Sequence, residues 1–219
     1  MLKDMVHVEG LPGRYIQFLQ QLQALADHET HALALSEKYG VKIRTGERNS
    51  VLLGPPSTII LEPWALNNPE IIIHELHHLM QKWSTVEAQL INAYGDAEEG
   101  IHFMELFCKF AEGFTKIPEP MMKKATARFG HTARAVRHMQ QLSFTTLNVA
   151  MFRWVHAHPG AERAGFIFKG KGIQDLAVCN SSLPFWVGDR VAEPQILLPQ
   201  TSYFKLPDGR VLGIVEGSP

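Results

Sequence analysis

Cysteine is scarce in this chain. Cys108 and Cys179 are its two thiols, enough for one bridge and too few for a disulfide framework, which points to a reducing compartment. Long apolar runs are missing: stretches such as Ile71-Ile72-Ile73 fall far short of the roughly 20 residues that span a bilayer. Charge of one sign is not in excess either. Lys plus Arg number 21 and Asp plus Glu 22, a net charge of −1, so no bulk electrostatic grip on nucleic acid or membrane is expected. The first residues, Met1-Leu-Lys-Asp-Met-Val-His-Val-Glu9, place acid where a signal peptide is apolar. There is no internal repeat and no low-complexity tract. These absences predict a cytoplasmic protein without membrane association. What is present is a globular composition: of 219 residues, 45% are hydrophobic and 20% charged, which excludes global disorder and allows one large domain or two small ones. Histidine is the one excess, at 11 residues, about twice the ordinary share.

Charge is unevenly placed. Thr85 to Glu119 holds seven acids and two bases. Pro120 to Ala161 holds no acid, but carries Lys123, Lys124, Arg128, Arg134, Arg137 and Arg153 with four histidines. Such a switch marks either two functional regions or two helical segments with different solvated faces.

Periodicity divides the chain. Tyr15 to Ala26 and the stretch to Tyr39 repeat at helical spacing, with Gly40 as a stop. Val41-Lys-Ile-Arg-Thr, Val51-Leu-Leu and Thr58-Ile-Ile-Leu-Glu read as short strands. Asn68 is an N-cap candidate, with Pro69 at the first helical position and Glu70 in the first turn, for a helix to about Trp83. A loop with Asn92, Gly95 and Asp96 is expected next, then a helix from about Ala97 to Lys116 that ends before Pro118. Met121 to Arg128, Ala133 to Leu142 and Leu147 to His156 predict three more helices. After His158-Pro159-Gly160, strands follow: Gly165-Phe-Ile-Phe, Leu176-Ala-Val-Cys, Phe185-Trp-Val, and a hairpin of 203–206 with 210–215 turning at Pro207-Asp208-Gly209. The fold class is α+β.

The chemistry lies in Ile71-Ile-Ile-His74-Glu75-Leu76-His77-His78-Leu79-Met80, which contains His-Glu-x-x-His. Residues four apart on a helix project about 40° apart, one turn along. His74 and His78 can therefore bind one metal ion, and Glu75, offset by about 100°, can hold a water beside it. Ile72, Leu76, Leu79, Met80 and Trp83 form the opposing apolar arc. His77 is expected to support the site from behind or to face solvent. Catalytic zinc takes three protein ligands and leaves a corner for water. One zincin subclass needs Gly and His where this chain has Gln81 and Ser84, and is excluded. A downstream helix carries Glu98, His102, Glu105, Lys109 and Glu112 as one polar stripe. That stripe either faces water or lines a site, and spacing admits Glu98 or Glu105 as third ligand.

On these residues the chain resembles the ImmA/IrrE (PprI-like) zinc metallopeptidase family, over roughly Ala34 to Pro118 and more loosely to His156. Lys38-Tyr-Gly40-Val-Lys-Ile, Thr58-Ile-Ile-Leu and His74-Glu-Leu-His-His78 stand in the family's order. The family's next helix reads Glu-x-x-Ala-Asn-x-Phe-Ala-x-x-Leu-Leu-Met-Pro. Here Glu105-Leu-Phe-Cys108-Lys109-Phe-Ala111-Glu112-Gly-Phe-Thr-Lys-Ile117-Pro118 keeps the leading Glu and closing Pro and departs at Cys108, Lys109, Ala111, Glu112 and Thr115-Lys116. The resemblance implies a zincin-like core over 1–120, a helix-turn-helix-like helical region over 121–160, and antiparallel strands over 161–219. It implies Zn2+ on His74, His78 and Glu105, with Glu75 as the catalytic base.

The implied activity is gluzincin-like peptide hydrolysis, and the family's usual target is a helix-turn-helix repressor whose cleavage releases transcription. Thr58-Ile-Ile-Leu-Glu would bind substrate by strand addition or serve as plain sheet. His102, Tyr94 and His77 are candidates to stabilise the oxyanion. The main rival is a DNA-binding regulatory protein with a structural or degenerate zinc site, touching nucleic acid through residues 121–160. Arg134 with Arg137, and Arg134 with His138, share a helix face there.

Overall fold

Capped, amphipathic segments build the helices, and the computed structural model describes residues 10–95, 98–158 and 160–217. Segment 1–9, Asp96, Ala97, Pro159, Ser218 and Pro219 lie outside the described residues. The structure is mixed α+β and divides into two compact units, 1–118 and 119–219.

The first unit opens with α1 (Leu11–Leu25), which buries Leu11, Tyr15, Ile16 and Leu19. Helix α2 (Ala32–Lys38) ends where Gly40 takes φ 66° and the Val41 amide donates to the Ser36 carbonyl. A left-handed residue at that place costs glycine nothing. Strands β1 (Lys42–Thr45), β2 (Ser50–Leu52) and β3 (Thr58–Leu61) follow, in the order β1-β3-β2. Strand β3 is parallel to β1 and antiparallel to β2, with Ile59 paired to both Ile43 and Val51. Both of its edges are thus filled. The strand-addition role considered for Thr58-Ile-Ile-Leu is corrected: no free ladder remains on β3 for a substrate strand.

Helix α3 (Pro69–Trp83) begins as its sequence dictates. The Asn68 side chain accepts from the Glu70 amide at 3.1 Å, Pro69 occupies the first turn, and Lys82 lies in the last. Leu76 and Leu79 are fully buried and Ile72 and Met80 nearly so. The segment expected as a loop instead forms α4 (Val86–Tyr94), which buries Val86 and Leu90. Its start carries no side-chain cap, and Thr85 enters it at φ 62°. Burial of one apolar face outweighs the missing cap there. Helix α5 (Glu98–Lys116) closes the unit, its Phe103, Phe107 and Phe114 buried, and the Phe107 ring lies 5.3 Å from that of Tyr15.

The second unit starts with α6 (Glu119–Phe129), α7 (Ala133–Ser143) and α8 (Leu147–Val155). Thr132 and Thr146 cap the last two by accepting from the Ala135 and Val149 amides. Strands β4 (Arg163–Lys169) and β5 (Gly172–Cys179), short helix α9 (Pro194–Leu197), and β6 (Ser202–Lys205) and β7 (Arg210–Glu216) complete it. They form an antiparallel sheet ordered β5-β4-β7-β6. Phe185-Trp-Val is not a strand. The Gly188 amide bonds to Ile173, the Asp189 amide to Trp186, and the Asp189 carboxylate accepts from the Trp186 amide, so this backbone is used in a turn. Only Phe185 is buried, its ring edge-on to Phe166 at 5.0 Å. Among the described residues, no helix is long and apolar enough to cross a membrane.

Candidate metal centre

Helices α3 and α5 pack antiparallel, and their contacts run in reverse order along the pair. Lys116 bonds Glu70 and, at 3.1 Å, Glu112. His77 Nε2 meets Thr115 Oγ1 at 3.0 Å, and Gln81 Nε2 donates to the Met104 carbonyl at 2.8 Å. Because the α3 and α5 core residues fix this register, the polar residues between them converge.

His74 and His78 sit one turn apart, with Nε2 atoms 3.2 Å apart and rings perpendicular. From α5, the Glu105 carboxylate reaches His78 Nε2 at 3.5 Å and His74 Nε2 at 3.8 Å. Tetrahedral zinc with N and O ligands near 2.0–2.2 Å has ligand–ligand edges of roughly 3.3–3.5 Å. The observed distances lie close to that range, so these three side chains fit the ion with small adjustments. Cys108 lies beside the His78 ring: its Sγ is 3.6 Å from His78 Nδ1 and 3.8 Å from His78 Nε2. His74, His78 and Cys108 form a group able to hold a metal, their ligand atoms all within 4.8 Å of one another. Sequence reasoning missed Cys108. The available signal was a soft ligand three residues after Glu105, on the same face of α5.

Glu75, expected as the base, is 7% exposed. Burial raises its carboxyl above the ordinary range, the His74 charge lowers it, and Glu105 raises it further. Burial and the His74 charge lower the His78 imidazole, against the pull of Glu105. Both changes favour the neutral imidazole that a metal requires.

His77 points away from the ligands. It is 2% exposed, which overturns the solvent-facing alternative. Thr115 gives its hydroxyl proton to the Ala111 carbonyl at 3.2 Å, so His77 Nε2 is the donor to Thr115 Oγ1. Burial, reinforced by the His74 and His78 charges, pushes its pKa down to about 3. His77 is a neutral link between α3 and α5, placed to hold the ligand face rather than to stabilise an oxyanion.

The other candidates lie elsewhere. Glu98 is exposed in the first turn of α5, about 10 Å along the helix axis from Glu105. His102 is exposed beside Phe103, and the Tyr94 ring packs on Phe103 at 4.6 Å. In the basic stretch, Arg128 and Arg134 each lie 4.9 Å from the Phe129 ring centroid, and His138 meets the same ring at 5.0 Å. Arg137 bonds Gln140. Arg153 is buried against Glu119 at 3.3 Å and belongs to the interior.

No protein-family model matches the chain, and no curated protein matches it in sequence. Among solved structures, a Mycobacterium tuberculosis transcriptional regulator is similar, with a TM-score of 0.49 and 8% identity over 91% of this chain and 75% of that one.

Proposed function

We propose that this chain is a zinc-dependent peptidase with a zincin-like core, related to the ImmA/IrrE family, acting in the cytoplasm on a protein substrate. The observation that carries the reading is the approach of the Glu105 carboxylate to both His74 and His78 Nε2, with Glu75 adjoining. His74, His78 and Glu105 would hold the ion. Zinc at that place supplies Lewis-acid polarisation of the scissile carbonyl and lowers the pKa of water.

The protein's own residues do the rest. Glu75 takes a proton from the attacking water and delivers it to the departing amine nitrogen. Its buried surroundings make the carboxylate a stronger base than a solvated one. His77 and Thr115 hold α3 against α5, which keeps the ligands in register. Side chains of His74 and Glu105 are 44% and 45% exposed, which leaves a solvent-facing approach for an extended chain. The substrate suggested by the resemblance is a helix-turn-helix repressor.

A second reading, a regulatory protein with a structural zinc site, draws on Cys108, since closed sites often include thiolate. The test of the first reading is co-expression with a helix-turn-helix repressor. Glu75→Gln is expected to retain the metal and abolish cleavage, while His78→Ala loses both. Cleavage that persists in Glu75→Gln refutes the peptidase mechanism.

A further inference from the structure

A polar side chain is buried beneath the ligand face, where an apolar one would pack. Gln81, near the end of α3, is fully buried, and its Nε2 donates at 2.8 Å to the Met104 carbonyl and at 2.8 Å to Cys108 Sγ. That carbonyl can only accept, so the orientation of the amide is fixed. Met104 and Cys108 bound the turn of α5 that carries Glu105. The Glu105 carboxylate meets His78 and His74 at 3.5 and 3.8 Å and has no other hydrogen bond or ion pair among the described residues. Its side chain is 45% exposed, so its place depends on the backbone turn beneath it. The bonds His77–Thr115 and Lys116–Glu70 also join α3 to α5, but they meet α5 ten and eleven residues beyond Glu105, about 15 Å along the axis. The Gln81 tie has a cost. Its Oε1 is buried with no hydrogen-bond partner among the described residues, and an unpaired buried acceptor destabilises a fold. The fold does not need the tie: within α5 the Met104 carbonyl keeps its bond from the Cys108 amide, with or without Gln81. A methionine of similar length would fill the space and leave no group unpaired.

We propose that Gln81 is a positioning residue for the metal site: its amide holds the α5 turn 104–108 against α3 and so sets the approach of Glu105 to His74 and His78. The proposal rests on the zinc reading above. Gln81 is not itself a ligand and acts through Glu105. A carboxylate already held at the right separation binds the ion without first drawing two helices into register. The effect therefore falls on metal affinity and coordination geometry, not on the stability of the metal-free fold.

Zinc affinity of the full-length protein, measured by chelator competition, tests this without any substrate. Gln81→Met and Gln81→Leu are expected to bind zinc roughly tenfold more weakly than the wild type, or weaker still, the loss usual when a partner that orients metal ligands is removed. Their metal-free melting temperatures are expected to stay at or above that of the wild type, because an unpaired acceptor is gone. In the cobalt-substituted variants the visible absorption bands shift, which reports a displaced carboxylate. In a Glu105→Gln background, Gln81→Met is expected to cost no further affinity. Wild-type zinc affinity in both variants, or an equal loss with and without Glu105, overturns the proposal and leaves the metal centre standing. Metal-free melting well below the wild type in both variants also overturns it, since the amide would then be a support of the fold. Absence of stoichiometric zinc from the wild type removes the zinc reading itself, and this proposal with it.

Discussion

Removal of one imidazole uncouples metal from stability in the unit that carries the site. On the proposed reading its ligands come from α3 and from α5, 27 residues further on at Glu105, and only the packed helices bring them together. Zinc held there would bind the folded state far better than the unfolded chain. At free zinc 100-fold above its dissociation constant, the linkage is worth about 2.7 kcal/mol. The unit spans 118 residues, and at ~2.1 cal/mol/K per residue its unfolding entropy is about 0.25 kcal/mol/K. The melting midpoint of that unit should then rise by about 11 °C on zinc addition, as measured by circular dichroism on metal-stripped protein. His78→Ala removes one ligand and should reduce the rise to a few degrees, without altering the metal-free midpoint by a comparable amount. Zinc-induced stabilisation of equal size in wild type and His78→Ala would refute the ligand assignment.

Two further predictions concern the second unit and need no metal. Burial holds the His156 pKa down to about 4, below its unfolded value near 6.5. The unfolded state therefore binds the proton first, and the native state is fully favoured only above pH 6.5. Stability should fall as pH drops from 6.5 towards 4, by up to about 1.4 kcal/mol per pH unit from this residue. Urea titrations at pH 7 and pH 5 should show a smaller difference in His156→Gln; an unchanged difference contradicts the burial argument. A methyl group at Gly213 would lie 2.3–2.7 Å from atoms of the Phe166 ring, which is boxed in by Phe168, Phe185 and Tyr203. Gly213→Ala should cost about 1–3 kcal/mol in denaturant melts, and less in a Phe166→Leu background; equal costs would show that the ring is not the obstacle.

Local chemistry made some elements legible and left others hidden. Helix α3 was readable because cap, first-turn proline, acid and a 3.6-residue apolar stripe agree along Asn68 to Trp83. Helix α4 was not, because Asn92 and Gly95 read as loop signals and no side chain caps its start. Its apolar face is specified by what it packs against. Phe185-Trp-Val has strand composition, yet Asp189 captures the Trp186 amide and turns the chain. The order β1-β3-β2 depends on pairing between strands, which local patterns do not encode. Within the site, His74 and His78 follow from helical geometry alone. Which α5 carboxylate meets them depends on the antiparallel register set by Lys116, His77 and Gln81, and that register is a tertiary fact. Cys108 stayed hidden for the same reason: a lone thiol on an apolar helix looks like core until its neighbour across the interface is His78.

Diffraction data collected on either side of the zinc absorption edge locate the ion without reference to activity. The account predicts an anomalous peak between His74 Nε2 and His78 Nε2, with Glu105 as the nearest carboxylate. A zinc-loaded crystal with no peak there, or with Glu98 rather than Glu105 at the ion, would contradict it.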